Sequence, residues 1–372
     1  MKFFLGCAEL SGQQLMKAYL KEIIEADPAA DLTVQASVEL EQEFPKINRL
    51  FDSSLCQVMG FIEPLKRLPS LLYRRRAIKE WLRVHRPKIM ITFDAPDFFL
   101  PIAAYARQLG IYCIHVVAPS VWAWRSGRTK ILEKSADELH VLYAFEEQLF
   151  KKNSFKTKFI GHPLLKAINC QERHTPVNRL LLAPGSRTQE IKAHLAIFLE
   201  WAGILKQEGI IKEACLAIAP GQKSLYQQYD IPGWIEQKTL YEGLERSDFA
   251  IVCSGTATLE VVSQGCPAVI VYDIPEWKLW FLRLFVHTPY IGLPNILTQK
   301  QLVPEYVGPL SQKKDAVLSH IRVLCTEPAY HTLATNIAET MRSLLEENMK
   351  PCLKDIWKTT LSQALMKQVE VV

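Results

Sequence analysis

The segment Ser254-Gly255-Thr256-Ala257-Thr258-Leu259-Glu260 has the chemistry of an anion site. It follows the apolar run Phe249–Cys253, where a strand would hand over to a helix. The first N–H groups of a helix lack partners and carry the positive end of its dipole, so they bind phosphate. Gly255 lets that backbone approach closely, and Glu260, one turn on, is placed to accept from two ribose hydroxyls. Capping alone would account for a serine or threonine here; the position after a strand favours a ligand. The turn Ala183-Pro184-Gly185-Ser186-Arg187 repeats the design and adds a guanidinium suited to a diphosphate. A helix dipole disfavours arginine at its start, so Arg187 is expected to serve a ligand.

The sequence Phe93-Asp94-Ala95-Pro96-Asp97-Phe98 sets two carboxylates around a proline that stiffens the turn. One is expected to act as general base and the other to cap the next helix; the residues leave open which does which. Ala118–Arg128 carries Trp122, Trp124, Arg125 and Arg128, an aromatic and cationic wall for a sugar and an anion. In Gly292–Leu297, Asn295 follows a rigid Leu-Pro turn and is a candidate to hydrogen-bond a base or sugar, with Glu305 downstream as a companion. No His-x-x-x-His, Asp-x-Asp or cysteine cluster stands out, so no metal and no cofactor is expected. A departing diphosphate would then be stabilised by Arg187 and the helix N-terminus.

These groups need a scaffold. Short apolar or β-branched runs predict strands at Lys2–Leu5, Leu32–Ala36, Ile89–Phe93, Ile111–Val117, Glu138–Tyr143 and Lys158–Ile160. A second series comprises Arg179–Ala183, Ala214–Ala219, Phe249–Cys253 and Ala268–Tyr272. Helix-length amphipathic stretches separate them, which implies an α/β chain with two doubly wound parallel sheets. The expected domains are 1–165 and 166–350, with a seam in 162–178. A last helix, 351–372, would pack on either domain or on a partner chain of a homodimer. Ligands of such sheets bind beyond the carboxyl ends of the strands, so the two domains are expected to face across a cleft that collects these motifs.

Composition agrees. At 372 residues, 49% hydrophobic and 22% charged, the chain has material for two cores. Nine cysteines, an odd number without a Cys-x-x-Cys pair, point to a reducing cytoplasm. The opening Met-Lys-Phe-Phe-Leu reads as a buried strand, because Glu9 and Gln13 follow too soon for a signal peptide. No apolar run is long enough to span a bilayer. The net charge of +5 is uneven: Leu65–Lys88 carries +8, leaving −3 elsewhere. Such a run is commonly a solvated helix face, and otherwise meets an anionic membrane surface or a phosphorylated ligand. Nucleic acid is not expected, because no stacking motif or recognition helix accompanies it.

With these motifs the chain resembles the lipid-A-disaccharide synthase family of Gram-negative bacteria. The matching blocks are Met59–Glu63, Asp94–Phe98, Pro119–Arg128, Phe159–Leu164, Pro184–Arg187, Ser254–Glu260 and Gly292–Glu305, and Pro-Ser-Val-Trp-Ala-Trp-Arg is very specific. The resemblance implies a GT-B fold and an inverting, metal-free transfer of diacylglucosamine from UDP-diacylglucosamine. The acceptor would be the 6-hydroxyl of diacylglucosamine 1-phosphate, and the product a β-1,6 disaccharide and UDP. It also implies peripheral attachment to the cytoplasmic face of the inner membrane. The family's Gly-Glu-x-Ser-Gly-Asp loop stands here as Ala8-Glu9-Leu10-Ser11-Gly12-Gln13: Glu9 is retained to orient a sugar hydroxyl, Ser11 and Gly12 line the acceptor, and the final acid is lost. Phe61, Leu65, Leu68 and Leu72, at helical spacing beside the basic run, are expected to take up acyl chains. Trp277, Trp280, Phe281, Leu284 and Phe285 form a second apolar stripe, read equally well as core or as membrane contact.

Overall fold

The strands alternate their side chains between two layers, and that alternation builds both cores. In the computed structural model, residues 9, 53–62, 120–127, 163–172, 174–175, 284–288, 350–351 and 370–372 lie outside the description. For 10–11, 63–68, 128, 281–283, 345, 348–349 and 368–369 only the backbone is described. The chain divides into two units, Met1–Pro163 with Asn348–Val372, and Leu164–Glu347.

The first unit contains β1 (Lys2–Cys7), α1 (Leu10–Ala26), β2 (Asp31–Ala36), α2 (Val38–Glu43), β3 (Ile47–Asp52), α3 (Glu63–His85), β4 (Ile89–Phe93) and α4 (Pro96–Gln108). It continues with β5 (Tyr112–Val116), α5 (Arg128–Ser135), β6 (Glu138–Val141), α6 (Ala144–Phe150) and β7 (Lys156–Phe159). All pairings are parallel, in the order β3-β2-β1-β4-β5-β6-β7. Phe3, Leu5 and Cys7 point to one layer with Ile89, Ile91 and Phe93. Phe4 and Met90 point to the other, under α3 and α4. This is the period-two consequence of the pleat.

The second unit contains β8 (Arg179–Ala183), α7 (Thr188–Gln207), β9 (Glu213–Ala217), α8 (Lys223–Tyr226), β10 (Ile235–Lys238), α9 (Leu240–Glu245), β11 (Phe249–Cys253) and α10 (Thr256–Ser263). Then follow β12 (Ala268–Asp273), α11 (Glu276–Arg283), α12 (Leu293–Thr298), β13 (Glu305–Gly308), α13 (Leu310–Leu324) and α14 (Glu327–Met349). Its parallel sheet runs β10-β9-β8-β11-β12-β13. Leu180, Leu182, Phe249 and Ile251 face one core, Leu181, Ala183, Ala250 and Val252 the other.

The last helix, α15 (Leu353–Val369), packs on the first unit. Trp357 lies among Phe3 and Tyr19, with ring centroids 6.1 and 6.2 Å away. Thr360 donates to the buried Glu138 carboxylate at 2.8 Å. That carboxylate also accepts from Tyr112 at 2.7 Å, pairs with Lys158 at 3.1 Å and lies 2.8 Å from His140. Partners on so many sides offset the cost of burying a charge and hold its pKa down at about 2 against burial.

The sequence reading missed β3, β10 and β13. Each lies at a sheet edge, and their sequences, Ile-Asn-Arg-Leu-Phe-Asp, Ile-Glu-Gln-Lys and Glu-Tyr-Val-Gly, lack the apolar run of a strand buried on both faces.

Candidate active site

Strand order places the candidate residues before any side chain is considered. In the second sheet the chain starts at β8, adds β9 and β10 on one side, then crosses to β11, β12 and β13 on the other. The crevice beyond the carboxyl ends of β8 and β11 is the topological switch point, where such sheets bind ligands. The turns Pro184–Arg187 and Ser254–Gly255 flank it. In the first sheet the switch lies between β1 and β4, flanked by the turn into α1 and by Asp94–Ala95.

The two turns of the second unit differ in what fills them. Glu190, in the first turn of α7, folds back over its own helix start. Its carboxylate accepts from the Ser186 and Arg187 backbones at 3.1 and 3.2 Å and from the Arg187 guanidinium at 2.9 Å. Gly185, at φ +120°, leaves room for this: a Cβ there would lie 2.5 Å from the Glu190 Cβ. Arg187 remains half exposed. Among the described residues no side chain caps the α10 turn. Gly255 is its N-cap residue without a side-chain cap, and a Cβ built on it would meet nothing within 4 Å. The Ser254 hydroxyl donates to the Ile291 carbonyl at 2.9 Å, and the buried Thr258 hydroxyl to the Gly255 carbonyl at 2.7 Å. Both hydroxyls shape the turn, the Thr258 N–H returns to the Gly255 carbonyl at 3.2 Å, and Thr256 is exposed.

Glu260 is hydrogen-bonded to Tyr241, an exposed residue of α9. Burial raises the Glu260 pKa, and the tyrosine bond pulls it partly back. Asn295 is fully buried and committed internally. Its oxygen accepts from the Leu302 and Val303 N–H groups, and its nitrogen donates to the Val303 carbonyl and to Glu305. Glu305 also accepts from the Ile291 and Gly292 N–H groups at 2.8 and 2.9 Å. An amide has two donors and an acceptor oxygen with two lone pairs, so Asn295 has nothing left for a ligand. With Glu305 it braces the 291–303 loop, which in turn holds Ser254. His194 adds another brace. Its Nε2 accepts from the Asp273 N–H at 2.8 Å, so Nδ1 carries the proton and donates to the Glu190 carbonyl at 2.7 Å.

In the first unit, Asp94 and Ala95 have φ of +53° and +44°, and Val117, after the neighbouring β5, has +78°. Left-handed backbone at residues with a Cβ is strained, and such strain collects at functional sites. The turn is fixed from both ends. The Asp94 N–H donates to the Val116 carbonyl at 3.0 Å, and the Ala95 carbonyl accepts from Phe98 and Phe99 at 3.0 and 3.1 Å. Ala95 therefore takes the N-cap position of α4, and neither aspartate fills it as expected. Asp97 lies in the first helical turn, where the dipole favours an acid. Gly12 packs against this turn: a Cβ there would sit 3.2 Å from the Phe93 carbonyl. Gln13 is buried, donating to the Ser37 hydroxyl at 2.7 Å and accepting from the Ser37 N–H at 3.3 Å. The neutral amide in place of the family's acid is thus a satisfied anchor.

Two arginines of the basic run turn inward, against the reading of a solvated helix. Arg74 is 7% exposed and donates to the Asp52 carbonyl. Arg75 is half-buried and donates to the Asp97 carbonyl. Charge-run composition cannot show this; Pro101 marks the Asp97 carbonyl as lacking its i+4 helical N–H, but not which side chain fills it. Leu72 and Tyr73 are exposed on α3, and Trp277 and Trp280 on α11, so the last two are not core. Glu9, Phe61, Trp122, Trp124 and Arg125, and the side chains of Ser11, Leu65 and Leu68, lie outside the described residues. Among the described residues no cluster of His, Cys, Asp and Glu is arranged to hold a metal, and no helix is long and apolar enough to cross a membrane.

The profile of the lipid-A-disaccharide synthetase family matches residues 3–351. The chain is 34% identical over 276 residues to the lipid-A-disaccharide synthase of Saccharophagus degradans, covering 69% of this chain and 71% of that protein. It is 30% identical over 323 residues to that of Pseudomonas aeruginosa, covering 82% and 85%. The solved glycosyltransferase of kitacinnamycin superposes with a TM-score of 0.61 at 13% identity over 97% of this chain and 98% of the other, a likeness of fold. Two parallel α/β units of this topology make a GT-B fold. The chain belongs to the lipid-A-disaccharide synthetase family.

Proposed function

We propose that this glycosyltransferase forms the lipid A disaccharide by a single in-line displacement. The substrates are UDP-2,3-diacylglucosamine and 2,3-diacylglucosamine 1-phosphate. Asp97, or else Asp94, takes the proton from the acceptor 6-hydroxyl. The oxygen bonds to the anomeric carbon as the bond to UDP breaks, and the electron pair leaves on the diphosphate. Inversion gives the β-1,6 link. The Ser254–Thr258 turn, Gly185, Ser186 and Arg187 hold the diphosphate and stabilise its developing charge without a metal ion. Glu260 takes the ribose hydroxyls, steadied by Tyr241. Asn295 and Glu305 act on the donor through the loop they brace.

The observation that supports this reading most is the α10 turn at the switch point, where Gly255 has no side-chain cap and open space at its Cα, with the half-exposed Arg187 on the other turn that flanks the crevice. A UDP-sugar 2-epimerase or a non-catalytic homologue is not favoured, because family membership extends over nearly the whole chain and Asp94, Asp97 and Arg187 are all present.

We further propose peripheral binding to an anionic membrane surface at the cytoplasmic face of the inner membrane. Exposed Leu72 and Tyr73 beside Arg76, and exposed Trp277 and Trp280 beside Lys278, combine apolar and cationic groups suited to a lipid interface.

The test of function is to mix the two substrates and resolve the products. Disaccharide with stoichiometric UDP is expected. An epimerised UDP-sugar, or binding without turnover, would refute the assignment. Anionic vesicles should sediment the protein and neutral ones should not.

A further inference from the structure

The basic face of α3 is largely what a charge run leads one to expect: Arg76 and Arg83 are exposed. Arg75 departs from it. Its guanidinium lies 5.5 Å from the centroid of the Phe98 ring, and its Nη2 donates to the Asp97 backbone carbonyl. That carbonyl is open because Pro101, four residues on, has no N–H to offer. The two contacts fix a planar cation beside the strained Asp94–Asp97 turn.

One more donor of this guanidinium is unspent. The buried Nε–H of Arg75 has no hydrogen-bond partner, and no ion pair joins it to a described carboxylate. Burial lowers its pKa, opposed only by the charge of Asp97. A half-buried cation so incompletely paired is costly, and such groups gather at functional sites. An anion arriving with the substrate would complete it.

We propose that Arg75 binds the phosphate monoester of the acceptor. The inference rests on the reaction proposed above. In that reaction the acceptor 6-hydroxyl is deprotonated at this turn, and its phosphate, on C1, is separated from the carbon that bears the hydroxymethyl group only by the ring oxygen, so it arrives near the same turn. A guanidinium held by the Asp97 backbone carbonyl, with its Nε–H unspent, lies beside the turn where that phosphate would arrive. The planar fork of arginine suits a phosphate better than the point charge of lysine.

The test compares kcat/KM for the acceptor with and without its phosphate, in wild type, Arg75→Gln, Arg75→Lys and Arg83→Met. Gln keeps a donor for the Asp97 carbonyl but loses the charge. It should shrink the preference for the phosphorylated acceptor by about ten- to hundredfold, with the donor KM unchanged. Lys should fall between Gln and wild type, and Arg83→Met should leave the preference intact. If Arg75→Gln is folded and slows both acceptors by the same factor, Arg75 only braces the turn and the proposal is overturned. If Arg75→Gln does not fold, Arg75→Lys decides: a reduced phosphate preference supports the proposal, and a wild-type preference overturns it. A wild-type enzyme that makes no disaccharide from either acceptor refutes the reaction itself, and the inference with it.

Discussion

The two switch points share a topology and differ in the chemistry at their rims. The second unit offers helix starts, glycines and hydroxyls, with one turn lidded by Glu190 and the other open at Gly255. The first unit offers one carboxylate, Asp94, on left-handed backbone and another, Asp97, in the helical turn after it, with an inward arginine on the Asp97 carbonyl. An anion needs converging N–H groups, which any helix start supplies without strain. The proposed general base needs one carboxylate held in one place, and the turn that carries Asp94 has unfavourable φ at Asp94 and Ala95. One scaffold can thus hold a leaving group and a base through differences confined to a few loop residues.

Removing Arg187 should have the largest effect on the donor side. Arg187→Met is expected to lower kcat by about 10²- to 10³-fold, because the charge on the departing diphosphate loses its cationic partner. Steady-state kinetics of disaccharide formation check this, and an unchanged kcat would remove Arg187 from the chemistry.

The two glycines should then separate folding from binding. Gly185→Ala meets Glu190 and takes a positive φ, so it should destabilise the protein by about 1–3 kcal/mol. Gly255→Ala has extended backbone and open space, so its melting curve should match wild type while UDP affinity falls by roughly tenfold. Calorimetry and UDP titration read the two outcomes; a Gly255→Ala variant with wild-type affinity would show that no ligand approaches that turn.

Ala95→Gly relieves a left-handed residue with a Cβ. It should raise stability by up to about 1 kcal/mol and lower turnover severalfold as the turn loosens. A gain in both would mean that the strain serves no purpose.

The smallest effect concerns pH. Glu260 has a raised pKa, so it protonates at a higher pH than an ordinary carboxylate, and UDP binding should weaken as pH falls through that range. Tyr241→Phe removes the bond that lowers this pKa. The weakening should therefore begin at higher pH than in wild type, with about a twofold loss of affinity at the acid end of the profile. Identical profiles for both proteins would dissociate Tyr241 from the donor.

Much of this could be read from the chain. Ile89–Phe93, Arg179–Ala183 and Phe249–Cys253 were placed to the residue, since central parallel strands are apolar throughout. The turns that follow them were found for the same reason. Of the four edge strands, β7 is anticipated by Lys158–Ile160, while β3, β10 and β13 are not, because their sequences lack an apolar run. The lid of Glu190, the Tyr241–Glu260 bond and the inward turn of Arg75 were not legible, because each depends on which neighbour a long side chain selects. Asn295 was legible as important but not in its role: only the structure shows all of its hydrogen-bonding groups spent on the loop itself.

The division of labour is tested most directly by Asp94→Asn, Asp97→Asn and the double variant, with turnover and UDP affinity measured on the same preparations. Wild-type UDP affinity throughout is expected, with turnover reduced on the order of a hundredfold or more in one single variant and in the double. Near-normal turnover in both single variants, or a matching loss of UDP affinity, would contradict the account.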